Sequence, residues 1–299
     1  MDGVRVAVVL SVAVLTVAVA LGCGDKSSSG QPAKAAHPAA AQAEGLFDGA
    51  AAMVWLKRQV AYGSRPAGSK ASRRLAKRLS KALPGGHYQA VPHGLRNVIG
   101  TVPGRDPKRV VVVGAHYDTK DIGDDRFVGA IDSASGTAVA VQLARTIQKR
   151  TLRPTIVFAL FDGEESPRGT PDSQFEKKGL RGSRVAARTW SKANAMILLD
   201  FVGNKNLMIP REGNSDERLW AKLRGAAATA GVLKHFPDDN FGPVSDDHLP
   251  FLEQGVPSID LIDFGNFPCW HETCDDLSGV AEDSLDATGE AVMRLLATL

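Results

Sequence analysis

The sequence predicts an α/β fold: a mixed, largely parallel twisted sheet with helices on both faces. Three observations carry this. Apolar runs rich in β-branched residues, among them Val110-Val111-Val112-Val113 and Thr155-Ile156-Val157-Phe158-Ala159-Leu160, lack the polar alternation of a strand with one wet face. Segments of helical character separate these runs, which gives each strand pair a crossover long enough for parallel pairing. The runs also end in carboxylates and histidines, at the edge where open α/β sheets place their ligands.

Taken in order, the chain begins with an apolar run over residues 6–21 behind Arg5, the layout of an export signal and short for a membrane span. It closes in Ala20-Leu21-Gly22-Cys23, which resembles a bacterial lipoprotein cleavage site with Cys23 as the acylated amino terminus. The expected organisation is an export signal over 1–22, a flexible Ser/Ala/Gln/Pro tether over 23–45 and a single catalytic domain over 46–299, in a cell-envelope lipoprotein or a secreted protein. With 299 residues, 43% of them hydrophobic, the chain can bury a full core. A net charge of +3 excludes the strong basic excess of a nucleic-acid binder, so membrane contact is expected only through Cys23.

Residues 57–81 hold nine Lys or Arg and no acid, and Leu75, Leu79 and Leu83 recur every fourth position, which predicts a helix with a solvated basic face. A strand follows over 97–102, then breakers over 103–107 and the Val110 to Val113 strand. Helices are predicted over 133–150, 182–193, 215–231 and 281–299, and strands over 155–161, 195–201 and 258–262. There is no internal repeat. With Cys23 assigned, Cys269 and Cys274 remain as a close pair in an oxidising compartment; spacing leaves a local disulfide and two free thiols equally open. Three cysteines are too few for a zinc site of the two-pair type.

The residues just past each strand share one chemistry. His116 and Asp118 follow the first valine strand, Asp162, Glu164 and Glu165 the next, Asp200 ends the third, and Asp263 and His271 follow the last, with Asp132 opening the helix between. Asp162-Gly163 alone reads equally as a solvated turn. Five chain-distant positions drawn only from His, Asp and Glu point instead to a metal, and imidazoles with carboxylates suit zinc at the carboxyl ends of the strands. Of the adjacent Glu164 and Glu165, one can bind metal while its neighbour, with its pKa pushed up, carries protons.

Gly114-Ala115-His116-Tyr117-Asp118, Asp132-Ser133-Ala134-Ser135-Gly136, Asp162-Gly163-Glu164-Glu165, Leu198-Leu199-Asp200 and Trp270-His271 resemble, in order and spacing, the zinc aminopeptidase superfamily that also holds animal-type glutaminyl-peptide cyclotransferases. The resemblance implies one zinc on Asp132, Glu165 and His271, with Glu164 as proton carrier and Asp200 and Asp247 in the hydrogen-bond network around it, acting on the amino termini of peptides. Trp270 and Phe267 would wall the glutamine pocket. The alternative it implies is a two-zinc aminopeptidase, in which His116 and Asp200 also bind metal and Asp132 bridges. Residues 127–133, 246–252 and 267–271 are nearer to the cyclase pattern, whereas Ser133-Ala134-Ser135-Gly136 is the turn of an aminopeptidase. The loop Trp of the cyclases is missing from 166–178, and Ala115 and Thr137 stand where the animal enzymes have a cysteine pair. A third reading, a non-catalytic peptide-binding module, predicts a lost ligand or proton carrier; none is lost.

Overall fold

A computed structural model describes residues 47–147 and 152–299 of the chain. The expected export signal and tether, Cys23, and the last turn predicted for the 133–150 helix lie outside the described residues.

The main sheet has six strands: β1 (His87–Val91), β2 (Leu95–Val102), β3 (Asp106–His116), β4 (Pro154–Phe161), β5 (Ala195–Asp200) and, last in the chain, β8 (Ser258–Ile262), in the order β1-β2-β4-β3-β5-β8. The first two pairings are antiparallel and the other three parallel, so the sheet is mixed and largely parallel as expected. A separate short pair joins β6 (Arg211–Glu212) to β7 (Asn240–Gly242).

The continuous apolar runs are explained by two cores. Val111, Val113 and Ala115 of β3, Ile156, Phe158 and Leu160 of β4, and Ile197 and Leu199 of β5 enter one core. Their sequence neighbours Val112, Val157, Ala159, Phe161, Met196 and Leu198 enter the other. Side chains alternate across a strand, so a strand covered on both faces needs an apolar residue at every position. The first core also takes α1 (Gly49–Val60), α2 (Lys70–Ala82), α3 (Ala134–Ile147), α6 (Glu217–Ala230) and α8 (Glu282–Thr298); the second takes α5 (Arg181–Thr189) and Phe251 of α7 (Leu249–Glu253). One further short helix, α4 (Phe175–Lys178), stands before α5.

The single basic helix expected over 57–81 is corrected. It is two helices, α1 ending at Val60 and α2 starting at Lys70, because Gly63 (φ 72°), Pro66 and Gly68 (φ 70°) interrupt it. Leu75 and Leu79 do bury from α2. Arg65, in the break, is fully buried and not part of a solvated face. The strand β1 and the β6–β7 pair were not legible, since neither carries a clear alternation.

Candidate metal centre

The Asp162-Gly163-Glu164-Glu165 turn is held from several sides. Asp162 accepts hydrogen bonds from the backbone N–H groups of Arg96 (3.1 Å) and Gly68 (3.3 Å) and from Ser72 Oγ (3.4 Å), so it fixes the strand end. Burial, with the nearby charge of Asp118, pushes its pKa up to about 6. Gly163 has φ 81°, and a Cβ there would stand 2.7 Å from Leu95 Cδ1 and 2.9 Å from Arg181 Nε, so glycine is required on both counts. Asp118 accepts from the N–H groups of Gly163 (2.9 Å), Glu164 (3.3 Å) and Glu165 (3.3 Å). Its carboxylate thus aims the two glutamates.

Past the strand ends, the ligand-type side chains form two groups that share Asp132: His116 with Asp132 and Asp200, and Asp132 with Glu165 and His271. Asp132 Oδ1 lies 3.3 Å from His116 Nε2 and Oδ2 lies 3.6 Å from His271 Nε2. His116 Nε2 is 3.4 Å from Asp200 Oδ1, and His271 Nε2 is 3.1 Å from Glu165 Oε1. The segment bearing Asp132 is gripped from two directions. Asp275 accepts from Ile131 N (2.7 Å) and Asp132 N (3.1 Å), and buried Arg65 donates to the carbonyls of Val128 (2.6 Å) and Gly129 (3.2 Å). His271 itself adopts φ 56°, a left-handed conformation of the kind that concentrates at functional positions. It lies inside the ring closed by a disulfide between Cys269 and Cys274, which resolves the alternative that spacing left open.

The residues present fit zinc. All but His271 are at most 7% exposed, and His116 Nδ1 is buried without a hydrogen-bond partner. A set of imidazole nitrogens and carboxylate oxygens is the zinc donor set. The electrostatics separate the two glutamates. Burial and the charge of Glu165 raise the pKa of Glu164 well above the ordinary carboxylate value. Burial also acts on Glu165, but His271 and then Lys120, whose Nζ is 3.1 Å away, outweigh it and lower its pKa. For His116 burial opposes the charged form, yet the carboxylates of Asp200, Asp118 and Asp132 win and raise its pKa.

These groups open into a cavity of about 540 Å³ lined by His116, Asp132, Glu164, Glu165, Asp200 and His271. Trp270 lines it as well. Phe267 does not: it is buried against Phe201, with ring centroids 5.2 Å apart, and Phe264 takes the wall position instead. Phe175 supplies an aromatic wall from the 166–178 loop that lacks the expected Trp. Asp246 lines the cavity, while Asp247 lies fully buried behind it with neither carboxylate oxygen hydrogen-bonded, close enough to help raise the Glu164 pKa. Asp263 accepts from Met208 N, Asn204 Nδ2 and Asn266 Nδ2 and stays outside the site. Sequence reasoning missed Lys120, Asp246, Phe175, Phe241 and Phe264 as lining residues. Lys120, two positions past Asp118, was accessible to the strand-end rule; Phe241 had no such signal.

A buried network supports the far wall. Glu212 accepts from Ser215 Oγ (3.0 Å), Asn214 N (3.0 Å) and Val244 N (2.8 Å), and faces His248 Nε2 at 3.1 Å. Burial alone would raise its pKa, but the His248 imidazole and the backbone donors outweigh it and lower it to about 2. The folded-state pKa is depressed, so the stabilisation is present above the ordinary value of 4.5 and is lost as pH falls toward about 2. Glu212→Gln is therefore expected to lower the thermal midpoint at neutral pH and to flatten its fall over that acid window, as scanning fluorimetry at stepped pH would record. An unchanged acid slope would remove Glu212 from the account.

The profile of Peptidase family M28 matches residues 97–296. A glutaminyl-peptide cyclotransferase of Bos taurus is 31% identical over 237 residues, which cover 66% of this chain and 63% of that protein's length. Among solved structures, the Porphyromonas gingivalis glutaminyl cyclase superposes with a TM-score of 0.75 at 28% identity, covering 85% of this chain and 99% of that one. A leucine aminopeptidase precursor from Bacteroides thetaiotaomicron superposes with a TM-score of 0.74 at 27% identity, covering 85% and 98%.

Proposed function

Since the chain belongs to peptidase family M28, we propose that it is a zinc-dependent glutaminyl-peptide cyclotransferase. It converts the amino-terminal Gln of peptides to pyroglutamate and releases ammonia. The observation that carries this reading is the 31% identity to the Bos taurus glutaminyl-peptide cyclotransferase, since likeness of fold is shared by the P. gingivalis cyclase and the B. thetaiotaomicron aminopeptidase precursor. The buried Glu164 beside the cavity is in keeping with it.

Zinc on Asp132, Glu165 and His271 would supply Lewis-acid polarisation of the side-chain amide carbonyl. The chain's own residues do the rest. The α-amine nitrogen attacks the side-chain carbonyl carbon, the bond to the amide nitrogen breaks, and that nitrogen leaves as ammonia. Glu164 takes the proton from the attacking amine and returns it to the departing nitrogen, a transfer for which a raised carboxylate pKa is suited. Asp200 and Asp247 keep a proton near Glu164: burial raises the pKa of each, with the charge of Asp246 adding to the shift at Asp247. Trp270 and Phe264 wall the pocket.

One observation favours a second reading. The two oxygens of Asp132 face separate three-ligand groups, the arrangement of a bridging carboxylate between two metals. A two-zinc aminopeptidase would use Glu164 to take a proton from water and cleave the first peptide bond. Incubation with Gln-initiated and Leu-initiated peptides separates the two. Ammonia release without shortening is expected; free amino acids from either peptide would overturn the cyclase. One zinc per active chain is expected by metal analysis, and two zincs both required for activity would favour the peptidase.

A further inference from the structure

We propose that the basic face of α2 rests on an anionic phospholipid surface, which gives the domain a membrane contact of its own besides the lipid expected on Cys23. The inference is independent of which reaction the metal centre performs.

Spacing builds the face. Lys70, Arg73, Arg74, Lys77, Arg78 and Lys81 stand at i, i+3, i+4, i+7, i+8 and i+11, which is one side of a helix, and all six are exposed. Ser72, Leu75, Ala76, Leu79 and Ala82 are buried on the opposite side. No carboxylate answers this charge. Among the described residues none of the six forms an ion pair. From Gly49 to Arg105 the chain carries eleven Lys or Arg and no Asp or Glu, and since the whole chain is at +3, the rest of it carries a net −8. Like charges at i and i+4, as in Arg73 with Lys77 and Arg74 with Arg78, weaken a helix. An anionic surface offsets that cost.

Three observations select a bilayer over a single anion or a substrate peptide. The six cations extend along about 16 Å of helix, at about 1.5 Å per residue, which spans several headgroups, and none of them lines the cavity. Aromatic rings accompany the charge. Arg74 lies over Tyr62 at 5.5 Å. Arg96, whose backbone is held with Ser72 on the Asp162 carboxylate, lies over the exposed Tyr88 ring at 5.3 Å. Tyrosine suits a membrane–water boundary, with its ring apolar and its hydroxyl wet. The segment also opens the domain, directly after the tether expected to join it to an acylated Cys23. A lipid chain with a polybasic patch is a two-signal anchor.

Flotation of residues 43–299, which form one compact unit, with lipid vesicles is the test. Binding is expected to an equal mixture of phosphatidylglycerol and phosphatidylcholine and not to phosphatidylcholine alone, with release at about 1 M salt, where the Debye length is about 3 Å. The triple variant Arg73→Gln/Lys77→Gln/Arg78→Gln should bind about 100-fold more weakly, at about fivefold for each cation, with a thermal midpoint no lower than that of the wild type. Lys192→Gln/Lys222→Gln/Lys234→Gln, an equal change of net charge at exposed positions elsewhere, should stay within a few fold of the wild type. Equal binding to neutral and anionic vesicles, binding to neither, or equal losses in the two triple variants would overturn the proposal. Retention of polyglutamate without retention on anionic vesicles would overturn it as well and make the face a protein-docking site.

Discussion

Glu164→Gln is expected to leave zinc bound and to lower turnover by about 100-fold or more, the range for loss of a general acid/base. The geometry sets this expectation. Glu164 belongs to neither three-ligand group, although it lies next in sequence to Glu165, which belongs to one. Its backbone N–H is fixed by Asp118, so the amide substituent keeps the same position and nearly the same volume. What is lost is the ability to take up and return a proton. The expected result is a fall in kcat with zinc content and thermal midpoint unchanged. Turnover within a few fold of the wild type would take Glu164 out of the mechanism, and loss of zinc would make it a ligand.

Arg65→Met is expected to be the most damaging structural substitution, at about 3–5 kcal/mol, the cost of breaking a buried charge network by removing one partner. The guanidinium donates to the carbonyls of Gly63, Val128 and Gly129 and to Ser133 Oγ. Burial lowers its pKa to about 10, with Asp275, Asp132 and Asp118 acting in the opposite sense. Without it, buried carbonyl oxygens lose their donors and three carboxylates lose their local cation. Arg65→Lys should rescue little, because a single ammonium cannot reproduce the planar fork. Guanidinium denaturation would measure both variants; a loss below about 1 kcal/mol would contradict the assignment, since that is the scale of an ordinary exposed pair.

Of the strands, β3, β4 and β5 were the most legible because they are buried on both faces and so carry uninterrupted apolar runs, whereas β8 interrupts its run with Asp260. The ligand-type residues followed from asking what stands just past each run. Arg65 was misread because a count of basic residues takes no account of burial: Pro66 and its flanking glycines mark the helix break, but nothing local shows that the break folds under the Asp132 segment. Phe264 and Phe267 could not be told apart from sequence. Both lie in a short stretch after β8 with no regular period and both pack against Phe201, at 5.8 and 5.2 Å, yet Phe264 lines the cavity and Phe267 is buried away from it.

The Cys269–Cys274 ring has a consequence for how this site can be altered. The ring carries Trp270 and His271, and the residue directly after it, Asp275, holds the backbone of Ile131 and Asp132. Two candidate ligands, Asp132 and His271, far apart in the chain, are therefore tied into one mechanical part. An insertion or loop graft at either segment displaces both, so variation in substrate range has free play only on the far lip, where Phe175 and Phe241 stand on short elements of their own.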